Sequence, residues 1–324
     1  MITSTPSRFL QRAVVAAALL FGATITSAQW AMFDAFKVNP AASLDVTGSA
    51  MVKGSPTKKV LVPTIRLRVA VSGSVFAAKQ KGSGTASAKG KYTVEGHDRA
   101  TLQALAKKIE ADYIAQLRAA GWEVVTWADI SGDAGVKAIT REAGEGELNF
   151  PQEKDANGAL YAVVTPSDEQ TFKAPIQGPT WPFRNVAREL NATVIVPQLD
   201  IVCPQVWIET GSGYKSVSAA VKTAPGMTLN YAMIQGLTAK GGGLLIKLKG
   251  AVINTTMDAG TFTGAEDKSP KAGNAVSKGL SAIGGGLIKR AAGEYVFAID
   301  PAKYEAGVLA GTHAFLAASI AAMK

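Results

Sequence analysis

The clearest strand pattern in the chain lies in residues 65–71. Every second side chain there is apolar, and the positions between them include Arg66 and Arg68. A period of two indicates a strand that buries one face in a sheet. We therefore expect the two arginines to project from the other face of that sheet.

The clearest helix pattern lies in residues 101–120, where apolar side chains recur every three or four positions. This spacing predicts one amphipathic helix. Asp98 suits the N-cap of this helix, and Gly121 suits a left-handed residue at its C-terminal end. A second, alanine-rich amphipathic helix is predicted for residues 302–323.

Shorter apolar runs predict further strands, and Pro197 within one of them suggests a sheet edge or a bulge. The runs are residues 123–127, 160–164, 193–202, 228–234 and 244–253. The order of strands and helices predicts an α/β fold, with a mixed sheet, two principal amphipathic helices and β-rich extensions.

Residues 79–92 are rich in glycine, serine and lysine and have no apolar period. We predict a flexible basic loop here; the alternative is an extended hairpin that becomes ordered in an assembly. Clustered cations favour contact with phosphates on an anionic surface. The candidate contact residues are the cations of this loop and of the preceding strand: Lys79, Lys81, Lys89, Lys91, Arg66 and Arg68.

The N-terminus has the pattern of a cleavable signal peptide over residues 1–28. Arg8 and Arg12 precede a short apolar run, and small residues precede the expected cleavage point. A retained membrane anchor is the alternative, although the run is short for a membrane span. We expect an exported protein of the periplasm, outer membrane or cell surface, with an irregular segment at 29–57 and a single α/β domain at 58–324.

The chain is basic, with 34 lysines and arginines, 25 acidic residues and a formal net charge of +9. Outside the cytoplasm, nucleic acid is not an expected partner. Anionic lipid headgroups or an acidic polymer are more natural counterparts. The alternative is that the charge only keeps the protein soluble.

No motif points to a catalytic, cofactor or metal site. Cys203 is the single cysteine, so no intramolecular disulfide can form, and its apolar surroundings favour a buried side chain over a catalytic thiol. His97 and His313 lack the spacing of zinc ligands. Nucleophile-elbow, phosphate-loop and dinucleotide-binding patterns are absent from the sequence. Acidic residues between 129 and 155 leave a hydrolase open.

The order of the predicted elements resembles the periplasmic α/β body of the curli-secretion channel CsgG and its relatives, which include outer-membrane lipoproteins that activate cell-wall synthases. The nearest local match is the 101–120 helix followed by glycine and a short valine-rich strand. The resemblance implies an envelope protein that binds partners or assembles into a ring, without enzymatic activity. The chain departs from the family because it has no lipobox cysteine and no clear amphipathic membrane hairpin.

Three functions follow from these observations. The first is a non-enzymatic envelope protein that assembles with other envelope proteins or with itself, as part of a secretion or surface-structure complex at the outer membrane. The second is a secreted hydrolase or polysaccharide-binding protein that uses acids from residues 129–155. The third is a surface structural or adhesive protein that polymerises through edge strands.

Overall fold

The structure is a computed structural model that describes most of the chain after residue 42. The described residues are 43–54, 58–81, 84–155, 158–212, 217–250, 252–254, 258–267 and 288–324. The predicted signal peptide, residues 1–28, lies outside the described residues, and so do residues 29–42.

Fifteen strands and six α-helices are found in the described residues. The strands are β1 (Leu44–Thr47), β2 (Lys59–Val62), β3 (Arg66–Lys81), β4 (Gly84–Glu95), β5 (Glu123–Thr126), β6 (Gln152–Lys154), β7 (Leu160–Val164), β8 (Thr193–Val202), β9 (Gln205–Ser212), β10 (Val217–Ala224), β11 (Met227–Leu237), β12 (Gly243–Leu248), β13 (Val252–Asn254), β14 (Gly260–Asp267) and β15 (Ile288–Ile299). The helices are α1 (Ser49–Lys53), α2 (Arg99–Ala119), α3 (Trp127–Ile130), α4 (Ala134–Lys137), α5 (Arg184–Glu189) and α6 (Pro301–Met323).

Thirteen of the strands form one mixed sheet, whose main path runs β1, β12, β11, β8, β3, β4, β15, β14. Parallel pairs join β3 to β8 and β4 to β15, whereas β3 and β4, β8 and β11, and β14 and β15 pair antiparallel. β9 and β10 form a separate two-stranded hairpin. The predicted α/β fold with a mixed sheet is confirmed.

Helix α2 begins and ends close to the predicted residues. The Asp98 side chain accepts hydrogen bonds from two backbone N–H groups of the first turn, and Gly121 beyond the last turn has a φ of 86°. The apolar stripe of α2 is buried in the main core together with Leu67 and Val69 of β3. This packing confirms the helix and the buried strand face together.

Helix α6 lies beside α2 on the same face of the sheet and runs in the same direction. Lys108 of α2 contacts Glu305 near the start of α6, and Gln116 Nε2 lies 3.0 Å from His313 Nδ1 further along. Among the described residues, α6 is the one helix long and apolar enough to cross a membrane, but most of that stretch is buried inside the protein. Burial of this kind is typical of a core helix as well.

A second, smaller core lies on the opposite face of the sheet, under α3, α4 and α5. Leu61 of β2, Val194 and Val196 of β8 and Phe183 pack together there. The body therefore has three layers, with the sheet between two sets of helices.

The prediction of a flexible loop at residues 79–92 is wrong. β3 and β4 pair without interruption from Ser72 opposite Thr93 to Lys81 opposite Gly84. The alternative, an extended hairpin, agrees with the structure. The hairpin forms within a single chain, without the assembly that the alternative required. Ala86 and Ala88 are buried in it, and because such small side chains carry little hydrophobic signal, the period of two is weak in the sequence.

The irregular segment predicted at 29–57 is also wrong where the structure describes it. β1 pairs antiparallel with β12, and α1 follows directly. Leu44 and Val52 are buried in the main core. This short segment therefore belongs to the body of the protein.

Pro197 lies in the interior strand β8 instead of at a sheet edge. On one side, β8 pairs with β2 at Thr193 and Val194 and then with β3 from Gln198 onward. Pro197 falls in the gap between these two ladders. A residue without a backbone N–H is tolerated there because neither ladder needs a donor at that position.

Candidate functional site

A cluster of buried charges lies on the sheet face opposite α2 and α6. Arg66 and Arg68 occupy alternate positions on β3 and are 5% and 8% exposed. The pairing of neighbouring strands places acidic residues beside these two arginines. Asp200 of β8 lies directly opposite Arg68, and Glu153 of β6 lies opposite Tyr161 of β7, next to the same site.

The two guanidinium groups connect β3 with the edge strand β6, with β8 and with the loop at Phe172. Arg66 donates a hydrogen bond to Glu153 Oε1 at 2.5 Å and another to the Phe172 carbonyl oxygen at 3.3 Å. Arg68 donates to Asp200, and its Nε lies 2.9 Å from Glu153 Oε2. The Arg68 guanidinium also stacks over the Tyr161 ring, 4.6 Å from its centroid.

Burial controls the protonation of this cluster. Asp200 is 3% exposed, and burial raises its pKa to about 7, while the Arg68 charge lowers the pKa and the Glu153 charge raises it further. Burial likewise raises the pKa of Glu142 beside Arg66. The Asp200 carboxyl group therefore exchanges a proton near neutral pH, whereas Glu153, whose side chain is 33% exposed, faces solvent.

The prediction that Arg66 and Arg68 contact an external anionic surface is wrong. Both guanidinium groups are buried and ion-paired within the chain. Alternation predicts the correct face of the strand, but Glu153 of β6 and the backbone at Phe172 contact the two guanidinium groups there. Asp200, the one charged residue in the apolar run 193–202, was the available sequence signal for a buried ion pair, because a lone acid in a buried strand needs a partner.

The predicted lysine cluster lies on the hairpin of β3 and β4, and the strand register divides it between two faces. Lys89 lies opposite Phe76 and Lys91 opposite Ser74, so these residues share one face. Lys79 lies opposite the buried Ala86 and therefore belongs to the other face. For Lys81 the structure describes the backbone pairing with Gly84. The lysines thus do not form one patch.

We call this region the β-extension: the part of β3 after Val71, with β4, β14, β15 and the hairpin of β9 and β10. The β9–β10 hairpin packs on one face of the sheet across Gly90. A Cβ atom at Gly90 would lie 2.8 Å from Val221 Cγ1 of β10 and 3.3 Å from Val206 Cγ1 of β9. Close packing of small residues therefore supports the β-extension from one side.

The other face of the β-extension, which carries Phe76, Lys89 and Lys91, is called the open face. Phe76 is 70% exposed there, and its neighbours on the same strand are the small residues Ser74 and Ala78. Lys91 Nζ lies 3.5 Å from a Glu294 carboxylate oxygen of β15. The open face is thus a β-surface of small and charged residues around one exposed aromatic ring.

The remaining residues of chemical interest are held by local packing. Burial lowers the pKa of His97 to about 4, and its ring packs edge-on against Tyr304. His313 Nδ1 lies 2.9 Å from Asp112 Oδ2 between α2 and α6. Cys203 is buried, as predicted, and burial raises its pKa to about 12. The described residues contain no group of three or more histidine, cysteine or acidic side chains that could hold a metal ion.

Comparison with known proteins adds no relative from which a function could be transferred. No family model, no curated protein and no solved structure matches this chain. The similarity to the curli-secretion channel family stays a prediction from the order of elements.

Proposed function

We propose that this chain is an exported envelope protein that acts by assembling with other proteins, including copies of itself, through the open face of the β-extension. The observation that carries the proposal is Phe76. This large aromatic side chain is 70% exposed in the middle of a β-surface, where burial on association would remove it from water.

The structure of the β-extension suits it to binding. The β9–β10 hairpin packs behind the sheet around Gly90, and a surface supported in this way loses less conformational entropy on association than an unsupported segment would. Burial of one phenylalanine side chain contributes roughly 1.5–3 kcal/mol. Small neighbours such as Ser74 and Ala78 allow a partner surface to approach the strands closely.

Location and partner class in this proposal come from the sequence. The signal-peptide pattern of residues 1–28 supports export. The net charge is +9 for the whole chain and +7 without Arg8 and Arg12 of the signal peptide, and it favours anionic partners or surfaces. The resemblance to envelope channel and activator proteins points to a secretion or surface-structure complex at the outer membrane.

A second candidate function is hydrolysis of a polymer by acids of residues 129–155, of which Glu153 has a side chain that is 33% exposed. Glu153 lies within the acid-rich stretch 129–155 and shares Arg68 with Asp200, whose pKa is raised to about 7 by burial. Retention of any hydrolytic activity in both Glu153→Gln and Asp200→Asn variants would remove this candidate.

Sedimentation velocity over a concentration series, with and without vesicles containing anionic lipid, tests the assembly proposal. We expect wild-type protein to form oligomers or vesicle-bound complexes, and Phe76→Ser to lose them. Trp207→Ser is the matched control, because Trp207 of β9 is 43% exposed on the β9–β10 hairpin, which packs on the opposite face of the sheet. A wild-type monomer at every concentration that ignores vesicles, or equal loss in both variants, would count against the proposal.

A further inference from the structure

A recess beside the smaller core combines an apolar lining with one cation. Its volume is about 390 Å³, which lies in the range of protein pockets that bind small molecules. Five of the side chains that line it are apolar, one carries a hydroxyl group and one carries a positive charge. In the described part of the chain the lining residues are Ala138, Ile139, Thr140, Lys173, Ala174, Pro175 and Pro182.

The walls of the recess are joined by backbone pairing and by buried rings. The Lys173 N–H group donates a hydrogen bond to the Thr140 carbonyl oxygen at 3.1 Å, and the neighbouring Arg141 and Phe172 form an antiparallel bridge. The Phe172 ring packs against the buried Phe183 ring, with the two centroids 4.9 Å apart. These contacts connect the two segments that form the recess, so a ligand meets a backbone that is already paired.

Lys173 is the residue of the recess that can recognise charge. It is exposed, so its ammonium group is accessible to a ligand. Burial raises the pKa of Glu142, and the Arg66 charge lowers that pKa more than the Lys173 charge does. Glu142 therefore belongs to the buried charge cluster, and it does not neutralise the recess.

Exposed apolar side chains continue the surface beyond the recess. Ile176 follows the lining residue Pro175 and is fully exposed, and Trp181 precedes the lining residue Pro182 and is 38% exposed. The Arg184 guanidinium group stacks over the Trp181 ring, 4.8 Å from its centroid. Apolar groups around a concave site are typical of a surface that binds a partly apolar ligand.

We propose that this recess binds a small carboxylate with an apolar body, in the form of a free acyl chain. The acyl chain lies against the proline and alanine side chains, and the carboxylate accepts hydrogen bonds from the Lys173 ammonium group and the Thr140 hydroxyl group. A single negative charge matches the recess, because Lys173 is the one cation among its described lining residues. The open face plays no part in this site, so the inference goes beyond the proposed function and does not depend on it.

Isothermal titration calorimetry of the full chain with decanoate tests the inference. We expect saturable binding of decanoate and about tenfold weaker binding of octanoate, because each buried methylene group stabilises the complex. Acetate, which has the charge without the apolar body, should not bind. Decanol, which has the apolar body without the charge, should bind more weakly than decanoate, and the difference should shrink at high salt.

Variants of the recess separate the charge from the apolar lining. Lys173→Gln should weaken decanoate binding by about fivefold at low salt and leave decanol binding unchanged. Lys240→Gln, at another exposed lysine, is the matched control and should bind decanoate as the wild type does. Lys173→Glu should reverse the preference, so that decylammonium binds more tightly than decanoate. Ala174→Trp, at an exposed lining position, should weaken binding of every ligand because it fills the recess.

The outcomes also separate this site from the open face. Phe76→Ser should bind decanoate normally, whether or not the chain assembles. Absence of saturable binding below the concentration at which decanoate forms micelles would overturn the inference. Equal losses in Lys173→Gln and Lys240→Gln would do the same, since they would show a general attraction of anions to a basic chain. Lys173-dependent binding to vesicles of anionic lipid, without binding of free decanoate, would contradict a free carboxylate as the ligand.

Discussion

Arg66 and Arg68 on β3, and Lys89 and Lys91 on β4, are two pairs of cations at alternate positions on neighbouring strands. The arginines are buried and ion-paired with Glu153 and Asp200, whereas the lysines are exposed around Phe76. Alternation predicts which side chains share a face of a sheet. Whether that face is covered depends on segments that are distant in sequence.

The partners explain why the two pairs differ. Asp200 lies 132 residues from Arg68 along the chain, and Glu153 lies 87 residues from Arg66. Guanidinium groups also suit buried pairing, because they form several directed hydrogen bonds and are less strongly hydrated than ammonium groups. The first pair therefore stabilises the body, and the second stays available for binding.

Loss of one member of the buried cluster should have the largest effect on stability. Arg68→Leu leaves Asp200 and Glu153 without their shared cation, and we expect a loss of about 3–5 kcal/mol in the free energy of unfolding. Urea denaturation measures it. Lys89→Leu is the control and should change stability by less than about 0.5 kcal/mol; similar losses in both variants would contradict the distinction between the two pairs.

Proton binding by Asp200 should give the next largest effect. Its folded-state pKa of about 7 lies above the ordinary value of 3.8, so the folded chain binds the proton more tightly and the associated stability is lost as pH rises from about 4 through 7. Wild-type protein should lose about 3 kcal/mol between pH 5 and pH 8 relative to Asp200→Asn.

Thermal unfolding of both proteins across this pH range measures the difference. Glu110 also contributes to the pH dependence of stability in both proteins, because burial raises its pKa to about 7. Only the difference between wild-type protein and Asp200→Asn therefore reports proton binding by Asp200. Parallel pH profiles for the two proteins would show that Asp200 is ionised throughout.

Close packing behind the open face should have a smaller effect. Gly90→Val places a side chain against Val206 and Val221, and we expect a loss of about 1–3 kcal/mol from overpacking. Thr93→Val, at an exposed position on the same strand, should be nearly neutral. Equal stability of the two variants in thermal unfolding would mean that the β9–β10 hairpin does not pack as described.

Removal of Lys91 should have the smallest effect on stability. Its 3.5 Å contact with Glu294 joins two exposed side chains, so Lys91→Ala should change the free energy of unfolding by less than about 0.5 kcal/mol. A loss comparable to that of Arg68→Leu in the same urea assay would show that the open face is buried.

The parts of the fold predicted from sequence are those with strong local signals. Asp98, the apolar stripe and Gly121 define α2 without help from distant residues. The β3–β4 hairpin was only the alternative to a flexible loop, because its buried positions, Ala86 and Ala88, are small and give a weak apolar period.

Most of the candidate surfaces could not be predicted for a similar reason. The sequence pattern identifies Arg68 as a cation on one face of a strand. Its burial depends on Glu153 and Asp200, which lie far away in the sequence and reach Arg68 through strand pairing. The sequence carries no signal for the exposure of Phe76, because the parts of the fold that cover or leave uncovered an aromatic residue are distant along the chain. The N-terminal boundary predicted at residue 58 lies too late in the chain, because β1 pairs with β12 and Leu44 and Val52 are buried in the main core. That residues 58–324 form a single domain stays a prediction.

Amide hydrogen exchange of the protein at low and high concentration tests the central claim most directly, because it compares the two regions in one sample. The account predicts that residues 72–95 gain protection as concentration rises, while β8 around Asp200 is protected equally at both concentrations. Unchanged exchange in residues 72–95, or new protection elsewhere alone, would contradict assembly through the open face.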